Sequence, residues 1–499
     1  MPDVVPEFLD LPFRRLGEAA LERARQLGAT YADFRFERRR GQHVQTRDRA
    51  LERLTDSESV GYAVRVVHGG SWGFASAVEL TPDAATATAE AAVEVATTLA
   101  PLNDEPVELA PEQAHQGTWV SSYDVDPFSV RDADKVAFLL AINERLLGSG
   151  KVAHAEFGVH QVVEGKYFAD LGGSDLVQQR VRVDGDFTAV RVDDATGAFD
   201  TMRSLSLPAG RGWEHIASLY DFAGEAAEVP DLLEQKMASP SVEPGRYDLV
   251  IHPSNLWLTI HESIGHATEL DRVLGYEANY AGTSFATFEK LGNLGYGSPV
   301  MHVTGDRQVE HGLSTVGWDD EGVAAQQWDL IRDGVLVGYQ LNRQMALKQG
   351  FDRSNGCAYA DSFATVPIQR MPNVSLQPAP ADVTLDDLIG GVERGIYVEG
   401  DRSWSIDMQR YNFQFTAQRF YEIRGGKLAG QLRDVAYQGT TTEFWNSMEA
   451  VGGPSTWLLG GSFHCGKGQP GQSAPVSHGA PAALFRQVRV LNTTSEGSK

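Results

Sequence analysis

The sequence predicts an α+β protein in two parts. An N-terminal mixed α/β region with an antiparallel sheet precedes a β-rich, barrel- or sandwich-like C-terminal half that carries a candidate metal helix. Three observations lead there. Helical and strand periodicities intermingle from residue 13 to about residue 237. The Pro- and Ser-rich stretch Ala238-Ser239-Pro240-Ser241-Val242-Glu243-Pro244-Gly245 then breaks the pattern. Beyond it, short strands and glycine turns dominate. The parts are therefore expected at 1–238, with a further split near 115–125, and at 239–499; 499 residues suffice for two or three domains and a sizeable core.

Residues 13–28 read as a helix, with Leu16, Leu21, Ala24 and Leu27 set between charged positions. Ala32, Phe34 and Phe36 alternate with Asp33, Arg35 and Glu37, which predicts a half-buried strand. Residues 62–67 and 72–75 flank the turn His68-Gly69-Gly70-Ser71 and read as a hairpin. Thr81-Pro82-Asp83 supplies a cap, a first-turn proline and an acid to an Ala-rich helix ending near Leu99. Another helix over 130–147 stops at Gly148. Residues 151–192 alternate apolar and polar groups around glycine turns, as in an antiparallel sheet, and a helix follows near 223–237. In the second part, residues 248–252 read as a strand feeding the candidate metal helix, and 334–339 and 395–400 as further short strands.

Charge excludes several function classes. Lys plus Arg number 43 against 67 Asp plus Glu, a net charge of −24, which disfavours non-specific nucleic-acid or anionic-membrane binding. The N-terminal residues show no basic, then apolar, signal pattern, and no stretch approaches the roughly 20 apolar residues of a membrane span. Two cysteines, Cys357 and Cys465, are too few for a disulfide scaffold and suit a reducing cytoplasm.

The most informative stretch is Pro253-Ser254-Asn255-Leu256-Trp257-Leu258-Thr259-Ile260-His261-Glu262-Ser263-Ile264-Gly265-His266, which contains an H-E-x-x-x-H pattern. Ser254 can cap its start, and Leu256, Trp257, Ile260 and Ile264 fall near helical spacing. Two imidazoles and a carboxylate on one helix are what a hydrolytic zinc site needs: the imidazoles hold the metal, and the carboxylate takes a proton from the water it activates. The spacing is unusual. Histidines four apart lie about 40° apart around a helix, whereas five apart they diverge by about 140°. A π-bulge, at about 80° per residue, brings them back towards one face, and Gly265 eases local distortion. The pattern is either a chance pairing on a solvated helix or a deformed metal helix. Its apolar face and a late cysteine favour the second reading.

That cysteine, Cys465, lies in the glycine-dense stretch Gly460-Gly461-Ser462-Phe463-His464-Cys465-Gly466-Lys467-Gly468-Gln469-Pro470-Gly471-Gln472 and reads as a loop. A thiolate is a good zinc ligand; the plain alternative is a small buried cysteine. Cys357 has no ligand-like neighbour, while Glu269 and His464 are further candidate donors. Three patterns are set aside. Gly69-Gly70-Ser71-Trp72-Gly73 fits a nucleophile elbow but lies between strands. Gly461 to Lys467 fits a phosphate loop, yet Gly468 replaces the Ser or Thr and Pro470 blocks the helix. Asp319-Asp320-Glu321-Gly322 reads as an acidic turn with its charges in water rather than a cation site.

Together these residues resemble the TldD/PmbA metallopeptidases, specifically the metal-bearing TldD branch, over nearly the whole chain. The resemblance rests on Gly73-Phe74-Ala75, His261-Glu262-x-x-x-His266 with Glu269, Asp319-Asp320-Glu321-Gly322-Val323, Gly334-Val335-Leu336-Val337-Gly338-Tyr339, Pro367-Ile368-Gln369-Arg370-Met371-Pro372-Asn373 and Cys465-Gly466-Lys467-Gly468-Gln469, in that order. It implies His261, His266 and Cys465 as zinc ligands and Glu262 as general base. It also implies a cytosolic peptidase whose narrow cleft admits extended, unfolded peptides. Bacterial members pair a TldD-like catalytic subunit with a metal-free PmbA-like (TldE) subunit, so a heterodimer or a homodimer is expected. The family's known roles are maturation of a modified peptide-antibiotic precursor and degradation of a labile antitoxin. The rival reading is a non-enzymatic, peptide-clamping scaffold with a structural metal; Glu262 beside the ligands argues against it. No residue is singled out by spacing as a second oxyanion donor.

Overall fold

The computed structural model describes residues 3–496. Its N-terminal part comprises α1 (Phe13–Gln26), β1 (Tyr31–Arg47), β2 (Ala50–His68), β3 (Ser71–Ala77), α2 (Pro82–Leu99), β4 (Gln116–Val120), α3 (Asp132–Gly148), β5 (His154–Asp170), β6 (Asp175–Val192), β7 (Phe199–Arg203) and α4 (Phe222–Ala238). The strands form one sheet in the order β3-β2-β1-β5-β6-β4, with β7 also paired to β6. Every pairing is antiparallel except β4 with β6. At the start of α2, Thr81 accepts a hydrogen bond from the Ala84 amide at 3.3 Å and Pro82 takes the first turn, where its missing N–H is harmless.

Strand alternation explains how the sheet is buried. Phe34, Phe36, Tyr62, Val64, Tyr167 and Val177 face α1 and α2, while Val44, Phe157, Val159, Phe187 and Ala189 face α3 and α4. These four helices therefore cover one face. The other face carries Asp33, Arg35, Glu37, Glu164, Arg180 and Arg182, which are buried too, and the nearly buried Lys166, against the C-terminal half. The half-buried strand expected at 32–37 is thus buried on both sides: a charged row looks solvent-facing in sequence, but here its members pair with one another and with acids of a second layer.

The acidic turn at 319–322 is part of that layer, and its expected solvation is wrong. Asp320 meets Lys166 Nζ at 2.8 Å, and Glu321 meets Arg65 Nη1 at 3.1 Å. Asp319 accepts backbone N–H bonds from Glu321, Val323 and Ala358, and burial followed by the nearby Glu321 charge pushes its carboxyl up to about 7. The turn is an ionic plug between the two halves.

The C-terminal half is built on β8 (Gly245–Ile251), α5 (Pro253–Ile260), β9 (Arg394–Ile406), β10 (Asn412–Arg424), β11 (Val435–Thr440) and β12 (Ala483–Asn492). The pairings β8–β9, β9–β10, β10–β11, β11–β12 and β12–β8 close a five-stranded barrel. Residues 334–339 contribute only the two-residue strand Val335–Leu336. Among the described residues, no helix is long and apolar enough to cross a membrane.

Candidate metal centre

α5 is buried along its whole length, and its polar side chains are pinned as well as its apolar ones. Asn255 donates to the Gly400 and Thr416 carbonyls at 3.1 and 3.0 Å and accepts from Tyr437 OH at 2.8 Å. Leu256 and Ile260 join the core with barrel residues Ile396, Val398 and Phe485; such side chains contribute about 1.5–3 kcal/mol each. The cap differs from the sequence expectation. His252, not Ser254, is the N-cap, its ring accepting from the Ser254 amide at 3.2 Å, while Ser254 Oγ accepts from the Gly400 amide at 2.9 Å.

After Ile260 the helix changes winding: His261–Gly265 is π-helical and His266–Thr268 is 3₁₀. The changed spacing diverts backbone carbonyls, and neighbours take them up. Ser263 O accepts from Tyr296 OH, Ile264 O from Thr268 Oγ1 at 2.8 Å, and Gly265 O from Gln340 Nε2 at 2.5 Å. Gly265 lies within this distortion, as expected, and is also closely packed. Its φ of −53° is ordinary helix, but a Cβ there would stand 2.5 Å from Met371 Sδ. A side chain here would have to displace the thioether end of the buried Met371.

The π turn brings both imidazoles to one side, their ring centroids 4.7 Å apart. Facing them is Cys465. Contrary to the loop expectation, it lies in the strand Leu458–Lys467, paired in a hairpin with Gln472–Ala480. Donor atoms of His261, His266 and Cys465 all lie within 4.8 Å of one another, and all three residues are buried. Cys465 Sγ is 3.6 Å from His266 Nε2.

Supporting bonds fix the imidazole tautomers. His478 Nδ1 can only donate to Val374 O at 2.9 Å, so its Nε2 accepts from His261 Nδ1 at 2.7 Å, which leaves His261 Nε2 with a free lone pair. His266 Nδ1 donates to Glu269 Oε2 at 2.8 Å, which leaves its Nε2 free in the same way. Burial holds all three rings neutral: His266 at about 3, His478 at about 4, and His261 well below its usual value, helped by the His266 and His478 rings. Burial pushes the Cys465 thiol up to about 11. Lys467 Nζ bonds Glu269 Oε1 at 3.2 Å and the Gln369 carbonyl at 2.8 Å. Burial alone would raise Glu269, but Lys467 and His266 hold it well below the usual carboxylate range.

Glu262 points towards Arg410, whose Nη1 meets Oε2 at 2.6 Å. Burial raises the Glu262 carboxyl; Arg410 and the Trp404 side chain oppose it. The donors of His261, His266 and Cys465 thus come together, with Glu262 on the same π turn and bonded to Arg410. Glu269 is an orienting partner of His266 rather than a separate donor, and His464 faces away, its ring stacked on His160 at 5.4 Å. Cys357 is buried elsewhere, 3.7 Å from Asn355 Oδ1. Sequence reasoning missed His478 and Arg410: each stands alone in its stretch, and only the fold gives it a neighbour. Arg370 explains its own segment by donating to the Cys465 carbonyl at 2.6 Å.

Two neutral imidazole nitrogens and a sulfur beside a carboxylate form a donor set that fits a borderline-soft divalent metal such as zinc. The site is a candidate metallohydrolase centre. Residues 244–492 match the PmbA/TldA metallopeptidase C-terminal domain, and residues 32–96 match PmbA/TldA metallopeptidase domain 1. The chain belongs to the PmbA/TldD metallopeptidase family. It is 28% identical over 484 residues to a protein of Methanothermobacter thermautotrophicus named metalloprotease, covering 93% of this chain and 96% of that one. It is 23% identical over 480 residues to a Saccharolobus solfataricus protein named zinc metalloprotease TldD homolog, covering 94% and 98%. Its fold is similar to that of TldE from Thermococcus kodakarensis, with a TM-score of 0.68, 16% identity and coverage of 95% and 99%.

Proposed function

We propose that this chain is a zinc-dependent peptidase that hydrolyses extended or unfolded peptides, TldD-like in activity and acting in peptide maturation or degradation. The observation that carries the reading is the convergence of the His261, His266 and Cys465 donors at the π turn that also carries Glu262. In this reading His261 and His266 hold zinc through Nε2, with Cys465 as thiolate ligand. Zinc, when bound, supplies Lewis acidity for water and for the scissile carbonyl. Glu262 takes the proton of the attacking water and returns it to the leaving amine. His478 and Glu269 keep the two imidazoles in the ligating tautomer. Among the described residues no fourth His, Cys, Asp or Glu donor joins the three, which suits an open catalytic position better than a closed structural one.

We assign the chemistry to residues 239–499 and the shaping of access to 1–238. Pairing with a PmbA/TldE-like subunit or a second copy, and a cytoplasmic location, belong to the same proposal. Glu262→Gln tests it. Zinc content should equal wild type, while hydrolysis of an unstructured peptide falls by about 10²–10⁴-fold; wild-type hydrolysis should also stop on chelation and return with zinc. Hydrolysis that survives chelation would overturn the reading.

A further inference from the structure

Arg410 is held in place more firmly than a surface turn requires. It sits at the end of β9's link to β10 with φ 62°, a conformation disfavoured for a non-glycine residue. Such backbone persists where the surroundings over-determine it. Here Asp407 Oδ1 accepts from the Gln409 and Tyr411 amides, Thr441 Oγ1 donates to the Arg410 carbonyl at 2.8 Å, and the Thr283 and Phe285 amides donate to the Met408 and Gln409 carbonyls. The result is a mostly buried guanidinium aimed at Glu262, its side chain 14% exposed. Nη1 meets Glu262 Oε2, Nε is buried, and Nη2, which is not fully buried, has no acceptor among the described residues. A guanidinium nitrogen without a protein acceptor, on a side chain already fixed by its other N–H, is free to bond a ligand oxygen.

We propose that Arg410 is a catalytic residue that donates to the scissile carbonyl oxygen as it becomes an oxyanion. This rests on the peptidase reading above. Glu262 must reach the attacking water, so a donor bonded to Glu262 lies beside the carbon that water attacks. As the water oxygen bonds that carbon, the C=O electron pair moves onto oxygen and Glu262 takes the proton. Arg410 gives its free N–H to the new negative charge. When the pair returns, the C–N bond breaks and the amine nitrogen takes the proton from Glu262. A fixed cationic donor at the developing charge stabilises the transition state more than the bound peptide.

Arg410→Ala should lower kcat on an internally quenched, unstructured peptide by about 10²–10³-fold with KM changed by less than about threefold, and zinc content should equal wild type. Arg410→Lys, which keeps the charge but not the planar fork, should fall between. Added guanidinium should partly restore Arg410→Ala. Affinity for a phosphinic peptide, whose tetrahedral anion imitates the oxyanion, should weaken in calorimetry by a factor comparable to the kcat loss, with the product peptides binding unchanged. Unaltered kcat or unaltered phosphinic affinity overturns the role. So does a loss confined to KM on peptides with a free C-terminal carboxylate, which would place Arg410 at the peptide terminus. Zinc-loaded wild type without any hydrolysis would instead remove the peptidase reading itself, and this role with it.

Discussion

His478 Nε2 lies 2.7 Å from His261 Nδ1, and the Val374 carbonyl on the far side of the His478 ring dictates the direction of that bond. A peptide oxygen from another strand thereby determines which nitrogen of His261 is free. His478→Phe keeps an aromatic ring in the space but removes the acceptor. Zinc affinity should weaken by about 10–100-fold, measured by competition with a chromophoric chelator. Wild-type affinity would show that His261 orients itself without this partner.

The two cysteines should separate cleanly. Cys465→Ala should lose most bound zinc, whereas Cys357→Ala should keep about one ion per chain. Cys357 faces Asn355, and its buried thiol is pushed up to about 12. Elemental analysis of the two purified variants decides this; full zinc in Cys465→Ala would sink the thiolate assignment.

Gly265→Ala should destabilise the fold by about 1–3 kcal/mol, because the added methyl overlaps the Met371 side chain. Adding Met371→Ala frees that space, so the double variant should be less destabilised than the sum of the two singles. Denaturant unfolding of all four proteins measures the coupling. Simple additivity would mean that the helix, not the packing, rejects the methyl.

Lys166→Met should destabilise by about 3–5 kcal/mol, since it strands Asp320 and leaves Glu37 and Glu164 with less opposing charge. Lys166→Met with Asp320→Asn should recover part of the loss. The effect should change little between low and high salt, because the pair is buried away from the ions that screen surface charges. A strongly salt-dependent loss would contradict the burial.

Much of this was legible because local pattern and fold agree. α2 follows from Thr81-Pro82-Asp83, and the β2–β3 turn from Gly69-Gly70, since capping and turn chemistry are decided within a few residues. The distortion at His261–Gly265 was legible too, because five-residue spacing on a regular helix sends the rings apart. What could not be read depends on distant chain. Asp320 looked solvated because its counter-ion, Lys166, is 154 residues away. Cys465 looked like a loop residue because glycines also occupy strands where another backbone or ring comes close. Gly461 runs against the Val476 carbonyl, and Gly460 lies against the Trp257 ring. His478 and Arg410 carried no spacing signal at all.

The π turn places this centre one mutational step from the commoner zinc helix. Five residues at about 80° each return to nearly the same azimuth as four at about 100°. Inserting one residue between two metal-binding histidines therefore preserves where they point, provided the displaced carbonyls find donors. Tyr296, Thr268 and Gln340 are those donors here. A single-residue deletion at Ser263 or Ile264 would restore regular winding and move the carbonyls that these three now bond. The length of the motif is thus written as much in its neighbours as in the helix, and a search keyed to the four-residue interval alone would pass over such a centre.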